Sequence, residues 1–299
     1  MKTKLLNIFK LKFNYPFGKQ TWFGSGGRCT LFFKIKSINQ LKLIMRLSNF
    51  TLPTFVIGCG SNLLVRDGGF RGIVIKLIGD FLKINFDDEK SILTLGSGVK
   101  DYEVSKFCLK NCITGFEFLS GIPGTIGGNL KMNAGCFGKT ISDDLIDCTL
   151  LNENLKIITL SRDQINFNYR KSSIKDNNII ISARFRIRKS NKIKIKENLS
   201  KILHQRRTTQ PIGNRTGGST FTNPPNFSAW NLIDGVKFKG KKIGGAKVSE
   251  KHSNFLINEN SATSLDIELL GEEIREKVLE KFNIKLDWEL QKIGEFKKI

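Results

Sequence analysis

The stretch from Gly115 to Gly138, GFEFLSGIPGTIGGNLKMNAGCFG, constrains the fold more than any other part of the chain. Seven of its residues are glycine, and Gly124, Gly127 and Gly128 lie within five positions. Because glycine loses so much backbone freedom on folding, this run predicts neither a helix interior nor a regular strand. It predicts irregular backbone that can approach a flat or anionic ligand, where a Cβ atom would collide.

Apolar side chains are interleaved with these glycines, whereas surface loops are usually polar. They are Phe116, Phe118, Leu119, Ile122, Ile126, Leu130 and Met132. The mixture predicts a segment buried against other structure. Since irregular backbone on a rigid frame often carries binding sites, we interpret the stretch as a ligand-binding segment rather than an ordinary surface loop.

Length and composition indicate a folded chain of more than one domain. The 299 residues suffice for two or three domains, and 39% hydrophobic with 25% charged residues is typical of globular proteins. No apolar run approaches the roughly 20 residues that span a bilayer. The basic start, MKTKLLNIFKLKFNYPFG, lacks a clean apolar region and a small-residue cleavage site. We therefore expect no signal peptide and a cytoplasmic protein.

The net charge of +22 raises nucleic acid or an anionic membrane as partners. Lysine is spread along the whole chain, however, and forms no stripe with interleaved aromatic residues. We therefore expect neither partner.

Six cysteines raise the question of a metal site. Cys108 and Cys112 have the spacing of half a site, but no second pair or nearby histidine accompanies them. The cysteines therefore predict reduced thiols and no metal.

Apolar periodicity predicts strands and helices in alternation, followed by a more helical end. Strands are predicted at 30–35, 54–57, 73–77, 91–95, 148–151, 156–160, 179–186 and 284–290. Helices are predicted at 38–47, 101–112, 199–207 and 264–282. The last helix has Ser264 as its predicted N-cap and an apolar stripe of Leu265, Leu269, Ile274, Val278 and Phe282.

A second glycine loop follows the strand predicted at 54–57 and reads Gly58-Cys59-Gly60-Ser61-Asn62. It is not a dinucleotide-binding fingerprint, because the third glycine and the following helix are missing. Exposed amides around the two glycines, with Ser61 and Asn62, still predict a concave site suited to pyrophosphate.

Further along, a third glycine turn, Gly217-Gly218-Ser219, presents a hydroxyl. In the strand predicted at 284–290, the period of two separates Glu289 from the face that carries Trp288. By spacing alone, Glu289 is a solvated acid, Ser219 a turn residue and Arg170 a surface cation.

Taken together, these segments resemble the UDP-N-acetylenolpyruvoylglucosamine reductase family. They occur in the family's order, from about residue 20 to residue 294. The matching segments are Thr21–Gly27, Gly58–Val65, Gly121–Gly128, Met132–Gly135, Tyr169–Ser172, Gly218–Pro224, Lys251–Phe255 and Leu286–Glu289.

The resemblance implies an α+β fold. Two α/β subdomains, at 1–78 and 79–190, would form a vanillyl-alcohol-oxidase-type (PCMH-like) FAD-binding fold. A C-terminal α+β domain at 191–299 would bind the UDP-sugar. The short segment after Tyr169 and Arg170 resembles the family's second type, which lacks an inserted substrate-capping loop.

The resemblance also implies which residues bind the ligands. FAD would be held by Gly58, Gly60, Ser61, Asn62, Gly121, Ile122, Pro123, Gly124, Thr125, Gly127, Gly128, Asn133 and Gly135. The substrate would contact Tyr169, Asn223 and His252. The implied partners are the UDP-sugar and NADPH, and the implied state is a monomer.

The implied reaction belongs to peptidoglycan precursor synthesis. NADPH would reduce FAD and leave, and UDP-N-acetylglucosamine enolpyruvate would take its place. Hydride would pass from flavin N5 to the terminal methylene carbon. Arg170 would stabilise the negative charge that develops, and Ser219 would donate the proton with Glu289 beside it.

The sequence departs from the family pattern at four positions. Cys29 and Cys136 replace more common alanines, Phe137 replaces a usual tyrosine, and Gly217 stands where alanine is more usual. Two other functions remain open at this stage. One is an alcohol or sugar oxidase on the same flavin fold, and the other is a basic nucleic-acid-binding protein. The choice between NADPH and NADH is also open.

Overall fold

The computed structural model describes residues 11–48 and 52–297, so the first ten residues of the segment considered as a signal peptide lie outside it. Within the described ranges, no helix is long and apolar enough to cross a membrane. The α-helices are α1 (Ile38–Leu47), α2 (Asp101–Lys110), α3 (Ile126–Met132), α4 (Lys192–Thr209), α5 (Ala229–Gly235) and α6 (Ser264–Phe282).

Strands account for most of the remaining regular structure. They are β1 (Lys12–Tyr15), β2 (Cys29–Ile35), β3 (Thr54–Val56), β4 (Leu63–Val65), β5 (Phe70–Leu77), β6 (Ile84–Asp87), β7 (Ile92–Gly96), β8 (Ile113–Thr114), β9 (Gly135–Cys136), β10 (Lys139–Thr140), β11 (Leu145–Leu151), β12 (Ile157–Ser161), β13 (Phe167–Asn168), β14 (Lys171–Ser172), β15 (Ile179–Arg186), β16 (Arg188–Lys189), β17 (Thr216–Ser219), β18 (Lys242–Ile243), β19 (Ala246–Val248), β20 (Phe255–Asn258) and β21 (Gln291–Ile293). The larger sheets have the orders β1-β2-β5-β3, β12-β11-β15-β7-β6 and β17-β20-β19-β18.

The described chain forms two compact units, and the first comprises residues 11–12, 32–48, 52–59 and 72–205. Its five-stranded sheet is antiparallel throughout. Its core joins that sheet to α2 and α3 through side chains such as Phe185, Val104 and Leu130, all fully buried. Strands β3 and β5 are parallel, as expected for strands joined by a crossover connection.

The second unit comprises residues 13–31, 60–71 and 206–297. Helices α5 and α6 pack with the sheet β17-β20-β19-β18 around a separate apolar core. Strands β4 and β21 form a parallel pair in this unit. Glu268 on α6 is nearly buried and accepts two hydrogen bonds from the Arg66 guanidinium, at 2.8 and 3.0 Å, while Lys292 lies 3.1 Å away. Two cations therefore compensate one buried carboxylate.

Part of the glycine-rich stretch is helical, although its glycines predict neither a helix interior nor a regular strand. Gly127 and Gly128 lie in the first turn of α3. The Gly127 amide donates to the Ser97 carbonyl at 2.8 Å, and the side chains of Ile126 and Leu130 are fully buried in the core. Tertiary packing therefore outweighs the low helix propensity of glycine.

Helix α6 begins and ends where the sequence predicts, but two details were wrong. Its N-cap is Thr263, whose hydroxyl accepts a hydrogen bond from the Asp266 amide, and Ser264 is the first helical residue. Leu265 and Leu269 are 45% and 47% exposed, because the buried stripe runs through residues such as Ile267. Helix α4 also begins at Lys192, several residues before the predicted start.

Candidate active site

Within the first unit, the Gly121–Gly128 loop packs against Gly58 and Cys59, the start of the second glycine loop. The Cys59 thiol donates a hydrogen bond to the Gly124 carbonyl at 3.3 Å. A Cβ atom added to Gly58 would lie 2.4 Å from the Thr125 hydroxyl oxygen. Gly58 therefore has to be glycine, because the two loops pack against each other.

The other glycines of the loop differ in what surrounds them. A Cβ atom added to Gly124 would lie 2.6 Å from an Asp101 carboxylate oxygen, and one on Gly127 would lie 3.1 Å from Ser97. At Gly128 the nearest described atom would be the Thr125 hydroxyl oxygen, at an ordinary 3.5 Å. Gly128 is thus the glycine whose bare face remains accessible to a ligand.

Asn133 joins the glycine-rich segment to the hairpin that carries Arg170. It ends α3 in the left-handed conformation, with φ of 45°, and its side-chain amide nitrogen donates to the Asn168 carbonyl at 3.1 Å. The Ser172 hydroxyl donates to the Lys131 carbonyl at 2.8 Å. Both strands of the β13–β14 hairpin are therefore fixed to the end of α3.

Arg170 lies in the two-residue turn of that hairpin, with Tyr169 before it. Its φ of 55° falls in the left-handed region, where residues other than glycine, asparagine and aspartate are uncommon. The guanidinium carbon lies 5.0 Å from the centre of the Tyr169 ring, which is within cation–π range. The chain therefore holds an arginine where the backbone favours glycine.

Ser219 ends strand β17 in the second unit and is half-buried. The pairing of β17 with β20 shifts between Thr216 and Ser219, and Gly218 has a φ of 82°. A Cβ atom on Gly217 would lie 2.5 Å from the Phe23 ring. Close packing therefore explains glycine at position 217. Ser219 comes directly after Gly218, whose backbone is left-handed, where the pairing of β17 with β20 is irregular.

The segment 284–290 is not a strand, contrary to the prediction. It forms an isolated bridge between Trp288 and Phe221, and the next strand is β21. The predicted alternation of faces is seen only in part: Leu286 and Leu290 are buried and Asp287 is exposed, but Trp288 and Glu289 are both half-buried.

Glu289 and Ser219 are neighbours through the backbone of Thr220. The Glu289 amide donates to the Thr220 carbonyl at 2.9 Å. The Asn62 side-chain amide donates to the Glu289 carbonyl at 3.0 Å, and the Gln291 amide donates to the Asn62 carbonyl at 3.1 Å. Three segments that the sequence singled out therefore meet in the second unit, together with Gly60 and Ser61.

Asn223 and His252 already have partners within the second unit. The Asn223 side-chain oxygen accepts from the Ala229 amide at 2.9 Å, at the start of α5. His252 Nδ1 accepts from the Asn254 amide at 3.3 Å, and its ring packs 4.8 Å from the Phe255 ring. Burial lowers the pKa of His252, partly opposed by the charge of Asp234, which favours a neutral imidazole at pH 7.

Sequence reasoning missed two residues, one in each unit, that hold candidate site segments in place. Asp101 bonds to the Gly121–Gly128 loop in the first unit. In the second unit, the buried Asn254 side chain pairs with both the amide and the carbonyl of Phe221, at 3.0 and 2.8 Å. Neither residue belongs to a local sequence pattern that would reveal its role, because each forms hydrogen bonds with a segment distant in sequence.

Two family models match the chain. An FAD binding domain covers residues 30–161, and the C-terminal domain of UDP-N-acetylenolpyruvoylglucosamine reductase covers residues 210–293. A UDP-N-acetylenolpyruvoylglucosamine reductase of Rickettsia massiliae is 42% identical over 283 residues, which are 95% of both chains. The chain belongs to the UDP-N-acetylenolpyruvoylglucosamine reductase family.

Other relatives agree. The enzyme of that name from Rickettsia prowazekii is 41% identical over 285 residues, covering 95% of this chain and 96% of the relative. The crystal structure of UDP-N-acetylenolpyruvylglucosamine reductase from Thermus caldophilus superposes with a TM-score of 0.82 at 28% identity, covering 96% and 99% of the two chains. The predicted α+β class and FAD-binding fold are confirmed. The chain is an FAD-dependent oxidoreductase of this family.

Residues of the first unit fit the cofactor. Among the described residues, two buried side-chain oxygens flanking α3 have no hydrogen-bond partner: the Ser97 hydroxyl and the Asn133 amide oxygen. Buried polar atoms are normally paired. A polar ligand bound next to these two oxygens would give them partners, so the chemistry of these residues fits a flavin nucleotide.

Proposed function

We propose that this protein reduces UDP-N-acetylglucosamine enolpyruvate to UDP-N-acetylmuramate with NADPH as the electron source. Bound FAD supplies the chemistry of passing a hydride from the nicotinamide to the terminal methylene carbon of the enolpyruvyl group. The neighbouring carbon, which bears the carboxylate and the ether oxygen, then takes a proton. The net reaction consumes one NADPH and one proton for each substrate.

The observation that carries this proposal is the arrangement of Ser219 and Glu289. Their backbones are linked through Thr220, which fixes a hydroxyl and a carboxylate on adjacent segments. We assign Ser219 as the donor of the proton and Glu289 as the acid beside it. A serine hydroxyl is a weak acid, so the developing negative charge must be stabilised by other groups.

Arg170 is the group we assign to that stabilisation. A guanidinium is charged at any physiological pH and presents several donors in a plane, which suits a carboxylate. Tyr169, Asn223 and His252 are proposed substrate contacts. Because the Asn223 oxygen and His252 Nδ1 accept hydrogen bonds within the protein, their remaining nitrogen atoms are the ones offered to the substrate.

FAD would be held by the two glycine loops, Asn133 and Gly135. On this proposal FAD contacts Gly58, Gly60, Ser61, Asn62, the Gly121–Gly128 loop, Asn133 and Gly135. The family models at 30–161 and 210–293 also support a domain boundary near residue 190, within the proposed division 1–78, 79–190 and 191–299. A monomer working in the cytoplasm remains a prediction.

Changing Gly128 to alanine tests the cofactor assignment. Because alanine suits a helix better than glycine by about 0.5–1 kcal/mol, the FAD-free variant should be at least as stable as the wild type. FAD should bind about tenfold more weakly or worse, since the methyl group would occupy the open face. Thermal melting and FAD titration measure the two effects.

Gly127→Ala is the matched control for that variant. Its methyl group would meet Ser97, so it should lower stability as well as FAD affinity. Unchanged FAD affinity in Gly128→Ala would show that this glycine does not contact the cofactor.

The function itself is tested with the purified wild-type protein. It should be yellow and should oxidise NADPH only when UDP-N-acetylglucosamine enolpyruvate is present. An oxidase on the same fold would instead consume oxygen with an alcohol or sugar and need no NADPH. Protein that stays colourless and takes up no added FAD would reject both.

A further inference from the structure

Asp101 is a buried carboxylate outside the residues assigned to the reaction or to FAD. It is the first residue of α2 and only 1% exposed. One carboxylate oxygen accepts from the Gly124 amide at 2.9 Å, and the other accepts from the Asn129 side-chain amide at 2.6 Å. Burying a carboxylate costs free energy unless such donors satisfy it, so a buried acid here needs an explanation.

Both partners of this carboxylate belong to the glycine-rich segment. Gly124 lies in the loop before α3, and Asn129 lies within α3. The Asp101 amide also donates to the Gly124 carbonyl at 3.2 Å, and Lys100 forms a bridge with Thr125. Asp101 therefore binds the loop through its main chain and its side chain at once.

The fit between the loop and the carboxylate leaves no spare space. A Cβ atom on Gly124 would lie 2.6 Å from Asp101 Oδ2 and 2.7 Å from Asn129 Oδ1. The same loop meets Gly58 and Cys59 through Thr125 and Gly124. Any shift of Gly124 would therefore also disturb Gly58 and Cys59.

We propose that Asp101 is a positioning residue of the cofactor site, which holds the Gly121–Gly128 loop in the conformation that binds FAD. This inference rests on the proposed binding of FAD by that loop. Asp101 acts through Gly124 and Asn129 rather than by touching a reacting atom.

The charge of Asp101 should make this role depend on pH. Burial raises its pKa to about 8, although the hydrogen bonds from Asn129 and Gly124 partly oppose the rise. The Cys59 thiol is the titratable group that responds to the charge of Asp101, and Lys76 on β5, Lys100 and Glu103 also act on that thiol. The pKa of Cys59 is itself raised, first by burial and then by the charge of Asp101.

The direction of the pH effect follows from comparing the folded and unfolded chains. The ordinary pKa of an aspartate is 3.8, so between that value and about 8 only the folded chain keeps the proton. The stability that Asp101 contributes is therefore complete below pH 3.8 and is lost as the pH rises through about 8. Asp101 contacts the loop that would bind the anionic FAD, so its ionisation should also weaken FAD binding as the pH rises.

The test compares Asp101→Ala and Asp101→Asn with the wild type as full-length proteins. FAD affinity is measured by flavin fluorescence from about pH 6 to about pH 9, across the expected titration. The alanine variant leaves the Gly124 amide unpaired and should bind FAD about tenfold more weakly or worse. The asparagine variant can bond to Gly124 and to a rotated Asn129 amide. It should recover most of the affinity and lose the decline towards high pH.

Asp163→Ala, an exposed aspartate of the same unit, is the matched control and should behave as the wild type. Circular dichroism shows whether each variant folds, and if the alanine variant does not, the pH profile of Asp101→Asn decides. Wild-type affinity in a folded alanine variant, or an unaltered pH profile in the asparagine variant, would overturn the inference. If the wild type itself bound no FAD, the proposed function would fail instead.

Discussion

Replacing Ser219 with alanine should leave the protein yellow and still bleached by NADPH, yet unable to regain its colour with the enolpyruvyl substrate. The hydroxyl is needed only when the substrate takes its proton, so reduction by NADPH should proceed at the wild-type rate. Loss of a positioned proton donor typically costs about 10²–10⁴-fold in rate. Stopped-flow absorbance at the flavin band measures both half-reactions separately.

Two further variants make the result specific for proton donation. Ser219→Cys keeps a group that can give up a proton, so it should recover part of the lost rate. Thr222→Ala removes a nearby hydroxyl, three residues after Ser219, that donates to the Asp287 carbonyl at 3.3 Å, and it should leave both half-reactions nearly unchanged. Normal reoxidation of Ser219→Ala by the substrate would show that another group supplies the proton.

The elements that sequence predicted well are those whose apolar pattern and caps agree with their tertiary surroundings. Helix α1 and strand β15 have the predicted bounds, and α6 does as well. Helix α3 was missed because packing against Ser97 and the core outweighs the low helix propensity of glycine. Segment 284–290 was wrongly predicted as a strand, because it forms a single bridge between Trp288 and Phe221 rather than a ladder.

The candidate site was predictable to the extent that it depends on ordered motifs. The glycine loops, Ser219 and Glu289 were all singled out, and the structure places Ser219 and Glu289 on linked segments. Asp101 was not, because its two partners lie 23 and 28 residues further along the chain. A buried acid leaves no periodic trace in the sequence, and only the folded backbone shows which amides it binds.

The turn that carries Arg170 offers the sharpest separation of stability from activity. A residue other than glycine in the left-handed region costs on the order of 1 kcal/mol of stability. Hydrogen bonds from Asn133 to Asn168 and from Ser172 to Lys131 fix the hairpin to the end of α3. A strained residue that the surrounding structure holds in place suggests a functional role.

We therefore expect Arg170→Gly to keep or raise the melting temperature while substrate turnover falls about 10²–10³-fold, the usual effect of removing one charge-stabilising donor. Arg170→Lys keeps the positive charge but loses the planar set of guanidinium donors, so its turnover should lie between those of the wild type and Arg170→Gly. Reduction by NADPH should be similar in all three proteins, because the developing charge arises only on the substrate. If Arg170→Gly were destabilised and fully active, the arginine would serve the hairpin rather than the reaction. If Arg170→Gly instead kept its stability and lost turnover, the strained backbone at this position would serve to hold a catalytic arginine.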